Sequence, residues 1–215
     1  MRAFGSWLCL LGTLALVGLP AVGEAQRVGA EFQVNTYTSS EQETFGDRLI
    51  AADASGNFVV VWQSAFQDGS SYGIFGQRYD SAGGPLGSEF RVNSSTTGRQ
   101  DRPSVASAAD GRFVAVWQSY QDGSYSSIFG QRFDGSGVPL GGEFRVNSYT
   151  TYKHLGPSVA AAADGDFVVV WSSYGDEGIS YDVFGQRFDS DGVAQGAEFR
   201  VNSYTSDLQN SGSVA

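Results

Sequence analysis

Short apolar runs recur along the chain at a fixed spacing, and each ends in a tryptophan. Residues 113–117 and 167–171 are such runs, and Trp62, Trp117 and Trp171 are 55 and then 54 residues apart. A continuous run of β-branched and aromatic residues of this length is typical of a strand buried on both faces. No stretch after residue 26 has convincing helical periodicity. The pattern predicts an all-β protein with these tryptophans in its core.

Two further motifs share this period. Phe-Gly-Gln-Arg occurs at residues 75–78, 129–132 and 184–187, and Glu-Phe-Arg-Val-Asn occurs at 89–93, 143–147 and 198–202, with an earlier variant at 31–35. Three markers with one period indicate a tandem repeat. The units are roughly 31–88, 89–142, 143–197 and a partial unit 198–215.

We predict four strands in each repeat. In the second complete group of four, they are residues 103–107, 113–117, 128–133 and 143–147. An Asp-Gly turn, such as Asp110-Gly111, joins the first strand to the second. Four short antiparallel strands per repeat, with the most apolar strand inside, fit a propeller blade. We predict an incomplete β-propeller-like array of about three four-stranded antiparallel blades plus a half-blade. A β-solenoid and a string of separate sandwiches are the alternatives.

The repeat is out of phase with the chain ends. The repeat region starts with a last strand at 31–35 and finishes with a first strand at 211–215. A closed propeller typically has at least four blades. We therefore expect a fragment of a longer array, with completion by another chain as the alternative. Self-association through the open strand edges is expected in either case.

The N-terminus has the three parts of a secretory signal. Met1-Arg2 precedes an apolar run that continues to Leu19, and small residues follow Pro20. We predict a signal peptide over 1–25, cleaved after Gly23 or Ala25, and a β-repeat domain over 26–215. The protein is then secreted or held at the cell surface, without a membrane span after signal removal.

Composition narrows the partners. The net charge of −10 speaks against nucleic acid, because phosphate binding needs a basic stripe. With 13% aromatic and only 17% charged residues, the chain is too apolar for a disordered protein.

The recurring motifs resemble the tandem repeats of large exported bacterial surface proteins. In that family, strands like residues 167–171, 185–189 and 198–202 of this chain recur many times, often beside hemolysin-type calcium-binding repeats. The resemblance covers essentially all of residues 29–215. It implies a secreted or surface protein with an adhesive role. The glycine-aspartate nonapeptides of calcium-binding arrays are absent here, so the resemblance does not carry calcium over.

Catalysis is not expected. The single histidine, His154, lies in a predicted loop that differs between repeats. Most carboxylates recur at equivalent places, which structure demands, whereas an active site needs asymmetry; they are Glu89, Glu143 and Glu198, and Asp80, Asp134 and Asp189. We predict a non-enzymatic protein without a cofactor. A carboxylate-based glycosidase is the minor alternative.

Two recurring polar features have candidate roles. Arg78, Arg132 and Arg187 each precede an aromatic residue and an aspartate, and we predict that they stabilise the blades through contacts with carboxylates. Asp189 and Asp191 begin an Asp-x-Asp-Gly sequence and are a candidate calcium site. Asp182, with residues 176–177, would add oxygen ligands, although the EF-hand spacing is missing.

The repeats differ most in one set of loops. These loops are predicted at residues 66–72, 120–125 and 174–181, and at 37–44, 94–102 and 149–155; all fall on the same blade face. They are rich in Tyr, Ser, Thr, Asp and Gly, which suit recognition. Unconstrained drift of surface loops is the alternative. The candidate ligand-binding residues are Tyr72, Tyr120, Tyr125, Tyr174 and Tyr181.

Together these patterns predict a secreted or cell-surface binding or adhesion module for an extracellular glycan or protein. A structural spacer or assembly repeat without a specific ligand is the alternative.

Overall fold

The predicted strands form three antiparallel sheets that follow one another along the chain. The structure is a computed structural model that describes residues 30–123, 125–174, 181–204 and 212–214. Its sheets contain β1 (Gln42–Glu43), β2 (Ile50–Ala52), β3 (Phe58–Ala65), β4 (Tyr72–Tyr79) and β5 (Phe90–Arg91); β6 (Gln100–Ser107), β7 (Phe113–Ser119), β8 (Ser127–Phe133) and β9 (Phe144–Arg145); and β10 (His154–Ala161), β11 (Phe167–Tyr174), β12 (Tyr181–Phe188) and β13 (Phe199–Arg200). The prediction of an all-β array of propeller-like blades is confirmed.

The first sheet differs from the others in its first strand. Both β1 and β2 pair with β3, so that Gln42 lies opposite Ser64 and Ile50 lies opposite Val60. Together these two short strands occupy the place that β6 and β10 fill as single strands in their sheets. Each sheet therefore has four strand positions.

Strand β7 is buried along its whole length because it has a sheet on each side. Val114 and Val116 pack towards the third sheet, in a cluster that includes Val169 and Trp171. Ala115 and Trp117 pack towards the first sheet. The alternation of side chains along a strand thus gives one β-branched run two apolar faces.

The fourth strands are shorter than predicted, because asparagine side chains replace part of the main-chain pairing. Strand β9 covers Phe144–Arg145 rather than 143–147. Beyond it, Asn147 Oδ1 accepts a hydrogen bond of 2.7 Å from the Ile128 N–H. The matching bonds are Ile74 N–H to Asn93 at 2.6 Å and Val183 N–H to Asn202 at 2.8 Å.

The first strands are longer than predicted and include residues assigned to loops. Strand β6 begins at Gln100 and β10 begins at His154, so parts of the predicted loops 94–102 and 149–155 are strand. Residues 42–43 of the predicted loop 37–44 form β1. In β6 and β10 a register shift interrupts the pairing, at Arg102 (φ 52°) and Gly156 (φ 57°). This bulge lets the strand continue past the proline that marked its predicted start.

Recurring glutamates connect consecutive outer strands. Glu143 Oε2 accepts hydrogen bonds from the N–H and hydroxyl of Ser94, at 2.8 and 2.5 Å. Glu89 accepts the same pair from Thr36, and Glu198 accepts it from Ser148. Glu143 and Glu198 therefore each hold their sheet to the preceding repeat, and Glu89 holds the segment around Thr36 to the first sheet.

The chain ends do not form strands where they are described. Residues 30–35 and 212–214 have no regular secondary structure. Val214 N–H nevertheless donates to Ser158 Oγ at 3.3 Å, which repeats the bond from Val159 N–H to Ser104 Oγ at 3.2 Å. Residues 212–214 therefore lie at the place of a following first strand.

Residues 33–215 form one compact unit, and residues 1–32 belong to another, of which 30–32 are described. The predicted signal peptide at 1–25 lies outside the described residues. Within the described ranges, no helix is long and apolar enough to cross a membrane.

Candidate functional site

Residues from all three sheets line a cleft at the end of the sheets that carries the variable loops. The cleft consists of two adjoining cavities of about 490 and 400 Å³. Phe45, Arg102 and Leu155 line both cavities, one residue from each sheet. We call this space the central cleft. Its other lining residues are Thr44, Gly46, Asp47, Gly156, Pro157, Ser172 and Tyr181 in the first cavity, and Glu43, Arg99, Asp101, Gln118 and Tyr120 in the second.

The cleft is built from positions that are equivalent in the fold but different in sequence. Glu43, Asp101 and Leu155 occupy the same place in their sheets, opposite Gln63, Gln118 and Ser172. The equivalent positions therefore supply two carboxylates and one apolar side chain. This breaks the repeat symmetry.

In two of the three sheets, the neighbouring residue in the strand supports a core tryptophan. Gln42 and Gln100 accept hydrogen bonds from the indole N–H groups of Trp62 and Trp117, at 3.0 and 3.1 Å. In the third sheet His154 stands at this position, fully buried in strand rather than in the predicted loop. Trp171 Nε1 is buried without a hydrogen-bond partner in the described part of the chain.

Asp101 is a buried carboxyl group of the cleft. It is 4% exposed, and its Oδ2 is ion-paired with Arg99. Burial raises the pKa of Asp101 above its ordinary value, although the Arg99 charge opposes the rise. Among the described residues, its Oδ1 has no hydrogen-bond partner. A buried acceptor of this kind favours a ligand that can donate a hydrogen bond.

A second acceptor lies directly across the strand pair. Gln118, 2% exposed, faces Asp101 in the sheet. Its Nε2 donates to the Tyr120 hydroxyl at 2.8 Å, while its Oε1 is buried with no partner in the described ranges. Two residues that line the second cavity thus each keep one buried acceptor without a partner among the described residues.

The first sheet supplies the other carboxylate and fixes the second sheet beside it. Glu43 Oε2 accepts a hydrogen bond of 2.6 Å from Gln63 Nε2. Gln63 Oε1 accepts a bond of 3.0 Å from the Arg102 N–H. The strained backbone of Arg102 is therefore held by a side chain of the neighbouring sheet.

Both cleft arginines lie over aromatic rings. The Arg102 guanidinium is 4.9 Å from the centroid of Phe45, which is 55% exposed, and that of Arg99 is 4.4 Å from the Tyr72 ring. Such contacts orient a cation and leave ring surface for a ligand.

The structure separates the five predicted tyrosines. Tyr120 and Tyr181 line the cleft, and Tyr72 lies beneath Arg99 and donates to Glu41 at 2.8 Å. Tyr125 and Tyr174 belong to a row of rings that leads to the cleft at Tyr181. Its centroid distances are 6.4 Å for Tyr125–Tyr152, 6.5 Å for Tyr152–Tyr174 and 5.0 Å for Tyr174–Tyr181.

Asp189 of the candidate calcium site lies in a turn. Its Oδ1 accepts bonds from the N–H groups of Asp191 and Val193, at 3.0 and 2.8 Å. Asp134 and Asp80 make the same turn contacts in the other sheets. Asp182 lies near the opposite end of β12, and residues 176–177 lie outside the described ranges. No group of three or more His, Cys, Asp or Glu residues that could hold a metal ion occurs among the described residues.

The predicted structural residues lie between and within the sheets. Trp62, Trp117 and Trp171 are at most 3% exposed. Arg132 Nη1 donates to the Ser190 carbonyl at 2.7 Å, and Arg78 donates to the Ser136 carbonyl. The acceptor is thus a main-chain carbonyl of the following sheet, rather than the expected carboxylate. Arg187 is exposed.

Sequence reasoning missed most of the cleft. Phe45, Arg99, Arg102, Asp101 and Gln118 were not among the candidates. A comparison of equivalent repeat positions would have singled out 42–43, 100–101 and 154–155, where the residues change from Gln-Glu to Gln-Asp to His-Leu.

Neither a protein-family model nor a curated protein matches the sequence. Among solved structures, an endo-arabinase from Bacteroides thetaiotaomicron is similar at 17% identity and a TM-score of 0.43, over 69% of this chain and 59% of that chain. GH43 endo-arabinanase from Bacillus licheniformis is similar at 20% identity and a TM-score of 0.40, over 68% of this chain and 55% of that chain. An α-L-arabinofuranosidase from Podospora anserina, in complex with cellotriose, is similar at 14% identity and a TM-score of 0.29, over 71% of this chain and 67% of that chain. The chain spans less than two thirds of the first two structures. At these identities and TM-scores the likeness assigns no function.

Proposed function

We propose that this protein is an extracellular, non-catalytic binding module that holds a glycan in the central cleft. The observation that carries the proposal is that Asp101 and Gln118 both line the second cavity and each keep a buried acceptor, Oδ1 and Oε1, with no hydrogen bond from a described residue, so that a small side-chain rotation would present it to a ligand. Sugar hydroxyls are donors that satisfy such acceptors, and an unmade bond at a buried acceptor costs about 1–3 kcal/mol.

The remaining lining suits the rest of a sugar ring. Phe45 and Tyr120 present partly exposed aromatic surface, which packs against the apolar face of a pyranose or furanose. The guanidinium groups of Arg99 and Arg102 add donors for ring and hydroxyl oxygens. Each cavity lies in the range of about 300–1,000 Å³ that is typical of ligand pockets.

Glycan-array screening followed by titration calorimetry tests the proposal. We expect binding to at least one oligosaccharide and a loss of about tenfold in affinity for Tyr120→Ala. The matched control is Tyr149→Ala, because Tyr149 is similarly exposed but lines neither cavity. Gln118→Met removes an unsatisfied acceptor and should lower affinity as well.

Two outcomes would contradict glycan binding in the central cleft. An unchanged affinity in Tyr120→Ala and Gln118→Met would place the ligand elsewhere. If no oligosaccharide binds the folded protein, a protein ligand or the structural-spacer alternative is favoured, and these are separated by affinity capture on immobilised extracellular proteins.

One observation favours a second candidate function, carboxylate-based glycoside hydrolysis. Glu43 and Asp101 line the same cavity from neighbouring sheets, and the pKa of Asp101 is raised by burial, as a general acid requires. Release of reducing sugar from a bound oligosaccharide, abolished in both Asp101→Asn and Glu43→Gln, would establish hydrolysis. Tight binding without release supports the binding module.

The extracellular location depends on the predicted signal peptide. N-terminal sequencing of protein from a secreting host should give Glu24 or Gln26 as the first residue. An intact Met1 on the purified protein would contradict export.

A further inference from the structure

The two contacts between consecutive sheets use the same set of positions. Each sheet has a forward face, towards the next sheet in the chain, and a backward face, towards the previous one. The forward faces present Val59, Ile74 and Val92 in the first sheet and Val114, Ile128 and Val146 in the second. The backward faces present Val105, Ala115 and Trp117 in the second sheet and Val159, Val169 and Trp171 in the third.

The forward face of the third sheet has the same apolar character but is exposed. Val201 is 53% exposed, whereas Val92 and Val146 at the equivalent position are 4% and 5% exposed. Val183 is half-buried, while its equivalents Ile74 and Ile128 are fully buried. Exposure of a face that is buried twice elsewhere in the molecule indicates an interaction surface.

The polar contact that crosses each interface is also unmade on this face. Arg78 and Arg132 donate to carbonyls of the following sheet. The guanidinium of Arg187, the third equivalent, is exposed and donates no hydrogen bond to any described residue. Beside Arg187 is a groove of about 660 Å³, whereas about 60 and 20 Å³ remain at Arg78 and Arg132.

The backward face of the first sheet is the complement of this groove. Ile50 is 60% exposed, although its equivalents Val105 and Val159 are 1% and 0% exposed. Phe58 and Val60 are half-buried, whereas their equivalents in the second and third sheets are buried. The first sheet also has the turn at residues 80–83, which corresponds to the turns that accept from Arg78 and Arg132.

We propose that two copies of this chain associate head to tail, with the first sheet of one copy docked on the forward face of the third sheet of the other. The contact repeats the two internal interfaces. Arg187 then donates to a carbonyl of the turn 80–83 in the second copy, and Val183 and Val201 are covered by its Ile50 and Val60. Such an interface is heterologous, so further copies add until a ring closes or a filament grows.

Residues 34–36 lie on the backward face of the first sheet, where Tyr79 donates to the Val34 carbonyl and Thr36 donates to Glu89, and the outer segment of the other copy displaces them. Residues 212–214 partly cover the docking groove, and the incoming copy displaces them as well. They are held there by the Val214–Ser158 hydrogen bond of 3.3 Å. Strand β2 of the second copy takes their place as the first strand of the next sheet. Val214→Pro, which lacks the N–H, should therefore strengthen association, and weaker association would show that residues 212–214 belong to the interface.

Sedimentation velocity of the purified chain and of single variants tests the proposal. We expect the wild-type chain to sediment as two or more copies, with the average mass rising with concentration. Val201→Asp blocks the forward face and Ile50→Asp blocks the backward face, so each variant alone should be a monomer. Both side chains are more than half exposed, so neither substitution should unfold a copy. Val138→Asp is the control, since Val138 is 56% exposed although its sheet has both neighbours.

Mixing the two blocked variants gives the decisive result. Each variant retains one intact face, so an equimolar mixture should form one-to-one dimers and stop there. A mixture that stays monomeric, a wild-type chain that is monomeric at all concentrations, or single variants that still associate would overturn the proposal. An equal loss of association in Val138→Asp would also overturn it.

Discussion

Gly130 tests how tightly the outer strand is held between two sheets. In β8 this residue lies opposite Phe144 of β9, whose ring covers it. A Cβ at Gly130 would lie 2.8 Å from Phe144 Cζ, which is closer than real contacts allow. The Phe144 ring is itself packed against Phe167 and Phe188 of the third sheet, at centroid distances of 6.3 and 5.5 Å. It therefore has little room to move.

We expect Gly130→Ala to lower the free energy of unfolding by about 1–2 kcal/mol. Overpacking of a filled core costs about 1–3 kcal/mol, and the smaller backbone entropy of alanine in the unfolded chain offsets about 0.4–1 kcal/mol of it. Denaturant titration at a concentration where the chain is monomeric gives the value, provided the slope of the transition is unchanged.

The third sheet provides a matched control. Gly185 has the same relation to Phe199, with a Cβ contact of 2.9 Å. Phe199 is 41% exposed, so its ring can turn away. Gly185→Ala should therefore change stability by less than about 0.5 kcal/mol. Equal losses at the two positions, or no loss at Gly130, would refute the reasoning that neighbouring sheets confine the ring.

Five further substitutions have expected outcomes. Trp117→Ala should cost about 3–5 kcal/mol in denaturant unfolding, because the side chain is fully buried; a loss under about 1 kcal/mol would contradict this. Arg132→Met should cost about 1–2 kcal/mol through the lost inter-sheet hydrogen bond, whereas Arg187→Met should not affect the monomer. Burial raises the pKa of Asp101 in the folded state above its unfolded value of 3.8. As the pH rises from below 3.8 through the folded-state pKa, wild type should therefore lose stability relative to Asp101→Asn. The pKa of Asp134 is lowered by its Ser136 hydrogen bond, so stability relative to Asp134→Asn should instead fall as pH falls; unfolding curves across pH check both signs.

The strands could be predicted because their sequences are governed by local and periodic constraints. Residues 113–117 alternate between two apolar environments, so both faces of the strand demand buried side chains. The Phe-Gly-Gln-Arg and Glu-Phe-Arg-Val-Asn motifs recur because Gly130 and Phe144, and Asn147 with Ile128, form contacts that every sheet repeats. A repeated contact leaves a repeated residue in the sequence.

The central cleft could not be predicted in the same way. Residues 100–102 are polar and precede a proline, which is typical of a loop, yet a bulge carries them into β6. Their pairing depends on Gln63, which lies 39 residues earlier and receives the Arg102 N–H. Nor does the sequence show that Phe45 and Leu155 meet, since the arrangement of three sheets decides this.

Some carboxylates recur at equivalent positions in every repeat and others do not, and the two groups have different surroundings. Glu89, Glu143 and Glu198 are equivalent, and each binds the N–H and hydroxyl of a Ser or Thr of the preceding repeat, so their charge is used within the fold. Glu43 and Asp101 share a position whose third member is Leu155, so the fold does not require a carboxylate there. Burying a carboxylate that the fold does not require costs desolvation free energy and does not stabilise the fold in exchange. Under the proposed function, we therefore expect the glycan to gain most at Asp101, which has one oxygen that no described residue satisfies.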